Sequence, residues 1–260
     1  MSALIGRTEV VFTRRLTDGL QVLFCDADGN LFPSEEPAFT ASARVTNELL
    51  GTLGIDRRWT GEELRRATTG MTFRRTAAAL AAEYGVHEIP DLEGWVEREK
   101  QVVTAHLAAT LRPDRRVLEP LGRLADHLGL AAVSSSALDR LRACFSAAGL
   151  NELFSPADVF SAEDSLPTPT SKPDPAIYRH ACARLGIGPG QGLAVEDSVP
   201  GVQSAVAAGC PTVGNLQFVP PEEKAERTAQ LVEAGALGVV ASWADLADAL
   251  VPAVPTPWEA

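Results

Sequence analysis

Residues 21–30 read QVLFCDADGN. QVLFC is an apolar, strand-like run, and the Asp, Gly and Asn of DADGN are residues that end strands and open turns. The expectation is a short buried strand that delivers two acidic side chains at its carboxyl end. What comes next supplies no partner strand. LFPSEEP, 31–37, reads as a linker. From about 38 to 111 the apolar spacing is helical, in FTASARVTNELLGTLG, GEELRRATTG, FRRTAAALAAEYG and DLEGWVEREKQVVTAHLAATL. Thr60 with Glu63 three residues on has the form of a capping box for the second of these helices.

Beyond 112 strands and helices alternate. LAAVSS (130–135), DVFSA (158–162), GLAVE (192–196), PTVGN (211–215) and GVVAS (238–242) are short apolar runs without clean alternation, as in strands covered on both faces. Between them lie helical segments such as ALDRLRACFSAAG and DPAIYRHACARLG. The fold class expected is α/β: a doubly wound parallel sheet built from 19–33 and 112–250, with an all-helical insertion, 34–111, after its first strand. Residues 1–18 and the Pro-rich 251–260 read as terminal extensions.

A chain of 260 residues can bury a core without metal or disulfide staples. With 45% hydrophobic and 22% charged residues it is too apolar to be disordered. Asp and Glu number 34 against 23 Lys and Arg, a net charge of -11 with no basic stripe, which argues against a nucleic-acid partner. No run is long and apolar enough to span a membrane. The opening MSALIGRTEVVFTRRLTDG lacks the apolar centre of an export signal, so the cytoplasm is the expected location. Cys25, Cys144, Cys182 and Cys210 match no zinc or redox spacing and are expected to be free, buried thiols. A monomer or weak homodimer is the expected state.

In a sheet of this kind ligands bind outside the carboxyl ends of the strands. Those ends carry Asp26 and Asp28 after the first strand, then Ser134, Ser135 and Ser136 after the second. The loop after the third holds Lys172 and Asp174, and Glu196, Asp197 and Ser198 follow the fourth. Carboxylates gathered from separate strands repel one another, and a hard divalent cation such as Mg²⁺ relieves this with oxygen ligands. Lys172 is one of only three lysines, with Lys100 and Lys224. A compact ammonium suits a tetrahedral anion or the first carboxylate. Asp26 and Asp28 are separated by one residue, which in an extended segment directs both side chains to one side. An aspartate nucleophile paired with an acid/base aspartate is the equipment of phosphoryl transfer.

Together these segments resemble the haloacid dehalogenase superfamily hydrolases with a helical cap after the first strand, in the group that holds β-phosphoglucomutase, phosphoglycolate phosphatase and sugar phosphatases. The segments that carry the resemblance are FCDADGNLFPSE (24–35), AAVSSS (131–136), SKPDPAIY (171–178) and GLAVEDSVPGVQSAVAAGC (192–210). The resemblance implies a Rossmann-like core and a Mg²⁺-dependent reaction on a small phosphorylated metabolite. Asp26 would be the nucleophile that forms an aspartyl phosphate, Asp28 the general acid/base, Ser134 the phosphoryl-binding hydroxyl and Lys172 the orienting lysine. Asp26, the Asp28 carbonyl and Asp197 would ligate the metal, with Glu196 beside them. Ser135, Arg74 and Arg75 are further candidates for substrate contact.

The chain also departs from the family pattern. Asn30 stands where Thr or Val is usual after the DxDG motif. Ala137 and Leu138 replace the Lys-Asn pair of the mutase branch, and in GMTF (70–73) Phe73 stands where that branch carries Arg. These losses favour a phosphatase of sugar phosphates or sugar-acid phosphates over an intramolecular phosphomutase. A catalytically silent, ligand-binding relative is the alternative of a different class. A receiver-type signalling domain fits poorly, because its acidic pair precedes the phosphorylated aspartate.

Overall fold

The computed structural model describes residues 19–68 and 71–251. The expected terminal extension 1–18, nearly all of 251–260, and Gly70 of the GMTF segment lie outside the described residues. The described chain divides into two compact units, one containing the chain up to Phe32 and from Arg112 onward, the other Pro33–Leu111.

The first unit is a parallel sheet with its connecting helices. Its strands are β1 (Val22–Cys25), β2 (Gly129–Ser134), β3 (Val159–Ser161), β4 (Gly192–Glu196), β5 (Thr212–Asn215) and β6 (Val239–Val240), in the order β3-β2-β1-β4-β5-β6. All pairings are parallel. Its helices are α5 (Arg115–Ala125), α6 (Leu138–Ala148), α7 (Ala176–Leu185), α8 (Val199–Ala208), α9 (Lys224–Glu233) and α10 (Trp243–Leu250). The α/β reading of the sequence is therefore correct. β1, β4, β5 and β6 are buried at every residue, and β2 and β3 at all but their first. That is why they read as unbroken apolar runs.

Alternation along β1 sends Val22 and Phe24 to one face. There they pack with Ala131, Val133 and Ala194 of the neighbouring strands, Ile177 and Tyr178 of α7 and Ala205 of α8. The chain passes from β1 to β2 on one side and later returns to lay β4 on the other. β1 and β4 thus flank the point where strand order reverses, the usual place for a ligand crevice. Their register pairs Cys25 with Val195, so Asp26 and Glu196 follow side by side.

The second unit holds α1 (Glu35–Thr52), α2 (Gly61–Thr68), α3 (Phe73–Ala82) and α4 (Leu92–Thr110), and no strand among its described residues. Glu35 and Glu36 occupy the first turn of α1, where they oppose the helix dipole. The Thr60–Glu63 capping box forms as read. Glu63 N–H donates to Thr60 Oγ1 at 3.2 Å and Thr60 N–H to Glu63 Oε2 at 2.9 Å. Ala43, Leu50, Ile55, Leu64 and Leu80 form the apolar centre of this unit. Among the described residues no helix is long and apolar enough to cross a membrane. All four cysteines are free and buried.

Gly192 opens β4 where the ring of Phe24 leaves no room for a Cβ. Gly192→Ala should therefore cost about 1–3 kcal/mol through overpacking. Urea unfolding of the full chain checks this, and a midpoint equal to that of the parent chain would contradict it.

Candidate active site

β1 ends at Cys25 and the chain turns at once. Leu31 N–H donates to Ala27 O at 2.9 Å and Gly29 N–H to Phe32 O at 3.0 Å. Gly29 has φ +77°, and a side chain there would run into the Asp197 carboxylate. Asp28 itself forms an isolated bridge with Phe32 beyond the end of β1. The two carboxylates take different partners.

Asp26 is buried and accepts from Lys172 Nζ at 2.5 Å through Oδ1. The same ammonium donates to Glu196 Oε1 at 2.6 Å and to Val133 O at 2.7 Å. Its three donors meet three acceptors on β2, β4 and the end of β1, which suits an ammonium better than a planar guanidinium. Its side chain is 5% exposed. It also lies 5.4 Å from the centre of the Tyr178 ring. Burial alone would lower the lysine pKa, but the charges of Asp26 and Glu196 outweigh it and hold the group protonated. The Tyr178 hydroxyl donates to the same Glu196 oxygen.

Glu196 is fully buried, and its second oxygen, Oε2, has no hydrogen-bond partner. That oxygen fills the space a Cβ would take on Gly201, in the first turn of α8. Asp26, Glu196 and Asp197 each place a carboxylate oxygen within 4.8 Å of the others. Three carboxylates against one ammonium leave excess negative charge in a buried place. Burial raises the pKa of each. Lys172 pulls Asp26 back down, Glu196 settles at about 7, and Asp197 is pushed well up with the charges of Asp26 and Glu196 adding to burial. A hard divalent cation fits this donor set, since it would take carboxylate oxygens of the cluster as ligands and relieve their repulsion. The main chain of Asp197 is itself anchored, its carbonyl accepting from Arg227 Nη1 at 2.9 Å.

Asp28 stands outside this group of carboxylates. Its Oδ2 accepts from Ser136 Oγ at 2.6 Å and its Oδ1 from Arg140 Nη2 at 3.0 Å. The serines after β2 divide their work. Ser134 Oγ accepts from Ser136 N–H at 3.1 Å, and Ser135 Oγ accepts from Lys172 N–H at 3.1 Å, tying the lysine loop to β2. Arg74 and Arg75 belong to α3 of the helical unit and are not members of the carboxylate cluster. Arg74 is ion-paired with Glu93 and Arg75 is exposed. Sequence reasoning missed Arg140, Arg227 and the Tyr178 hydroxyl. Tyr178 carried a signal, a hydroxyl among the buried positions of α7, six residues after Lys172. Arg140, in the first turn of the helix after the serine run, carried only its charge.

A family profile described as haloacid dehalogenase-like hydrolase matches residues 20–209. Protein CbbY of Cereibacter sphaeroides is 31% identical over 199 residues, 73% of this chain and 81% of that protein. The phosphorylated carbohydrates phosphatase of Thermotoga maritima is 28% identical over 224 residues, 85% of this chain and 94% of that protein. A crystal structure of a HAD family hydrolase from Deinococcus radiodurans with bound phosphate and sodium superposes with a TM-score of 0.66 at 28% identity, covering 90% of this chain and 96% of that one.

Carboxyls that hold protons more tightly in the folded than in the unfolded state support stability fully below their ordinary pKa. That support is lost as pH rises through the folded value, about 7 for Glu196. A cation must displace those protons, so the thermal stabilisation by added Mg²⁺ should be larger at about pH 8 than at about pH 5. Thermal melts with Mg²⁺ and with a chelator at both pH values check this. Equal shifts would contradict the cluster as a cation site.

Proposed function

This chain belongs to the haloacid dehalogenase-like hydrolases and is an enzyme of their phosphatase type; from that premise we propose that it hydrolyses a small sugar phosphate or sugar-acid phosphate through an aspartyl phosphate on Asp26. The observation that carries this reading is the Lys172 ammonium, bonded at once to Asp26 and Glu196, which with Asp197 each place a carboxylate oxygen within 4.8 Å of the others. The bound Mg²⁺ that the reading requires would be held by Asp26, Asp197, the Asp28 carbonyl and Glu196, and it supplies charge neutralisation for the nucleophile and the phosphoryl oxygens.

The remaining work falls to the chain's own side chains. Lys172 fixes one Asp26 oxygen, which leaves the other for in-line attack on phosphorus. As the bond to the leaving oxygen breaks, Asp28 gives that oxygen a proton. In the second half it takes a proton from the water that attacks the aspartyl phosphate, which returns Asp26 as a carboxylate. Ser136 and Arg140 aim the Asp28 carboxylate for both steps. Ser134 and the loop N–H groups after β2 bind the phosphoryl oxygens, and Ser135 keeps the lysine loop in register.

A phosphatase is favoured over a mutase by Ala137, Leu138 and Phe73, which offer no cation or amide for a second phosphate. Phosphate release from a panel of phosphorylated sugars and sugar acids with Mg²⁺ tests the proposal. Asp26→Asn should lower turnover by about 10³-fold or more without unfolding the chain, and chelation should stop release until Mg²⁺ returns. Turnover in Asp26→Asn equal to that of the parent would remove the nucleophile assignment. Isomerisation without net phosphate release would replace phosphatase by mutase.

A further inference from the structure

Asn30, the residue that departs from the family pattern, is buried and fully bonded. Its Nδ2 donates to Asp26 O at 3.0 Å and to Val195 O at 2.9 Å. These are the carbonyls of the nucleophile position and of the residue before Glu196. Val195 O also accepts from Asp26 N–H at 3.0 Å. The carboxamide thus continues the β1–β4 ladder past its last residue pair, Cys25 with Val195. Thr has one side-chain donor and Val none, so neither can serve both carbonyls.

The other atoms of Asn30 are taken up in turn. Its Oδ1 accepts from Asn215 Nδ2 at 2.8 Å, and Asn215 Oδ1 accepts from Gln217 N–H at 3.1 Å. Gln217 Oε1 accepts from Trp243 N–H at 3.2 Å, and Trp243 Nε1 donates back to Asn30 O at 2.8 Å. The bonds close a ring that links the turn after β1, the end of β5 and the start of α10. Asn30, Asn215 and Trp243 are each 0% exposed. Satisfied buried polar rings of this kind hold their members in one geometry.

We propose that Asn30 is a positioning residue: the ring it forms with Asn215, Gln217 and Trp243 fixes the main chain that aims Asp26 at phosphorus and sets the spacing between Asp26 and the acidic pair on β4. The inference rests on the nucleophile reading of Asp26. It accounts for an Asn at this position in a chain with the rest of the acidic machinery intact, and it assigns Asn215 and Trp243 to the same task.

The test compares the full-length parent, Asn30→Val, Asn30→Val/Asn215→Val, Trp243→Phe and Asp26→Asn, with p-nitrophenyl phosphate and Mg²⁺, recording kcat, KM and thermal midpoint. The double variant removes the Asn215 amide that Asn30→Val leaves facing an apolar side chain, while Asp26 O and Gln217 N–H still lose their partners, so part of the midpoint lost in Asn30→Val should return. Its kcat should stay about ten- to a hundredfold below the parent with KM within about twofold. A kcat that recovers together with the midpoint would show a purely structural role and overturn the inference. Should the Asn30 variants fail to fold, Trp243→Phe keeps both carboxamides and removes the donor to Asn30 O together with part of a buried ring, whose cost the thermal midpoint reads separately. There kcat should fall severalfold at constant KM, and an unchanged kcat would overturn the inference. An active Asp26→Asn would instead defeat the nucleophile reading, whereas an inactive one beside a fully active double variant would defeat this inference alone.

Discussion

The Lys172 ammonium, held between Asp26 and Glu196, is the interaction around which the core unit is arranged. Parallel pairing of β1 with β4 forces these two carboxylates next to each other in a place from which water is largely excluded. Unpaired, such groups would protonate or push the strands apart. The loop after β3 returns to deliver the one charge that prevents this. Ser135 fastens that loop to β2, and the third lysine donor is spent on Val133 O of the same strand. The glycines follow from the same crowding. Gly29 and Gly201 stand where any side chain would strike Asp197 or Glu196.

The compensation is incomplete, and the reading of function grows from that. Three carboxylates share the Lys172 ammonium and the more distant charge of Arg227, and among the described residues Glu196 Oε2 has no hydrogen-bond partner. A cation held by these oxygens would offset that charge, which is why the cluster is a candidate metal site. Asp28 is kept apart from this crowd by its own serine and arginine. Two aspartates separated by one residue therefore meet two environments, and division of labour between like groups arises in this way.

Much of this was legible in the sequence. The unbroken apolar runs gave buried parallel strands, and acidic or hydroxyl residues at their ends gave the position of the site. The scarcity of lysine drew attention to Lys172, whose three acceptors account for it. Thr60 and Glu63 declared their helix start because a capping box is local. What stayed hidden depends on contacts made across the sheet. Nothing near Asn30 in sequence indicates that Asn215 and Trp243 complete its bonds. Arg140 and Arg227 look like ordinary charges on helix surfaces until the helices are docked. That Asp28 is held by Ser136 and Arg140 while Asp26 is held by Lys172 likewise depends on contacts across the sheet. The pairing of Arg74 with Glu93, nineteen residues on, is another contact that the sequence does not announce.

That Asp26 carries the phosphoryl group in transit is the claim on which the rest hangs. The most direct measurement is peptide mass analysis of the Mg²⁺-loaded chain, quenched in acid during turnover of a phosphate ester. A phosphoryl mass increment on the peptide containing Asp26, absent from Asp26→Asn treated in the same way, is the result expected. An increment on another residue, or rapid turnover in which the Asp26 peptide never gains mass, would contradict the account.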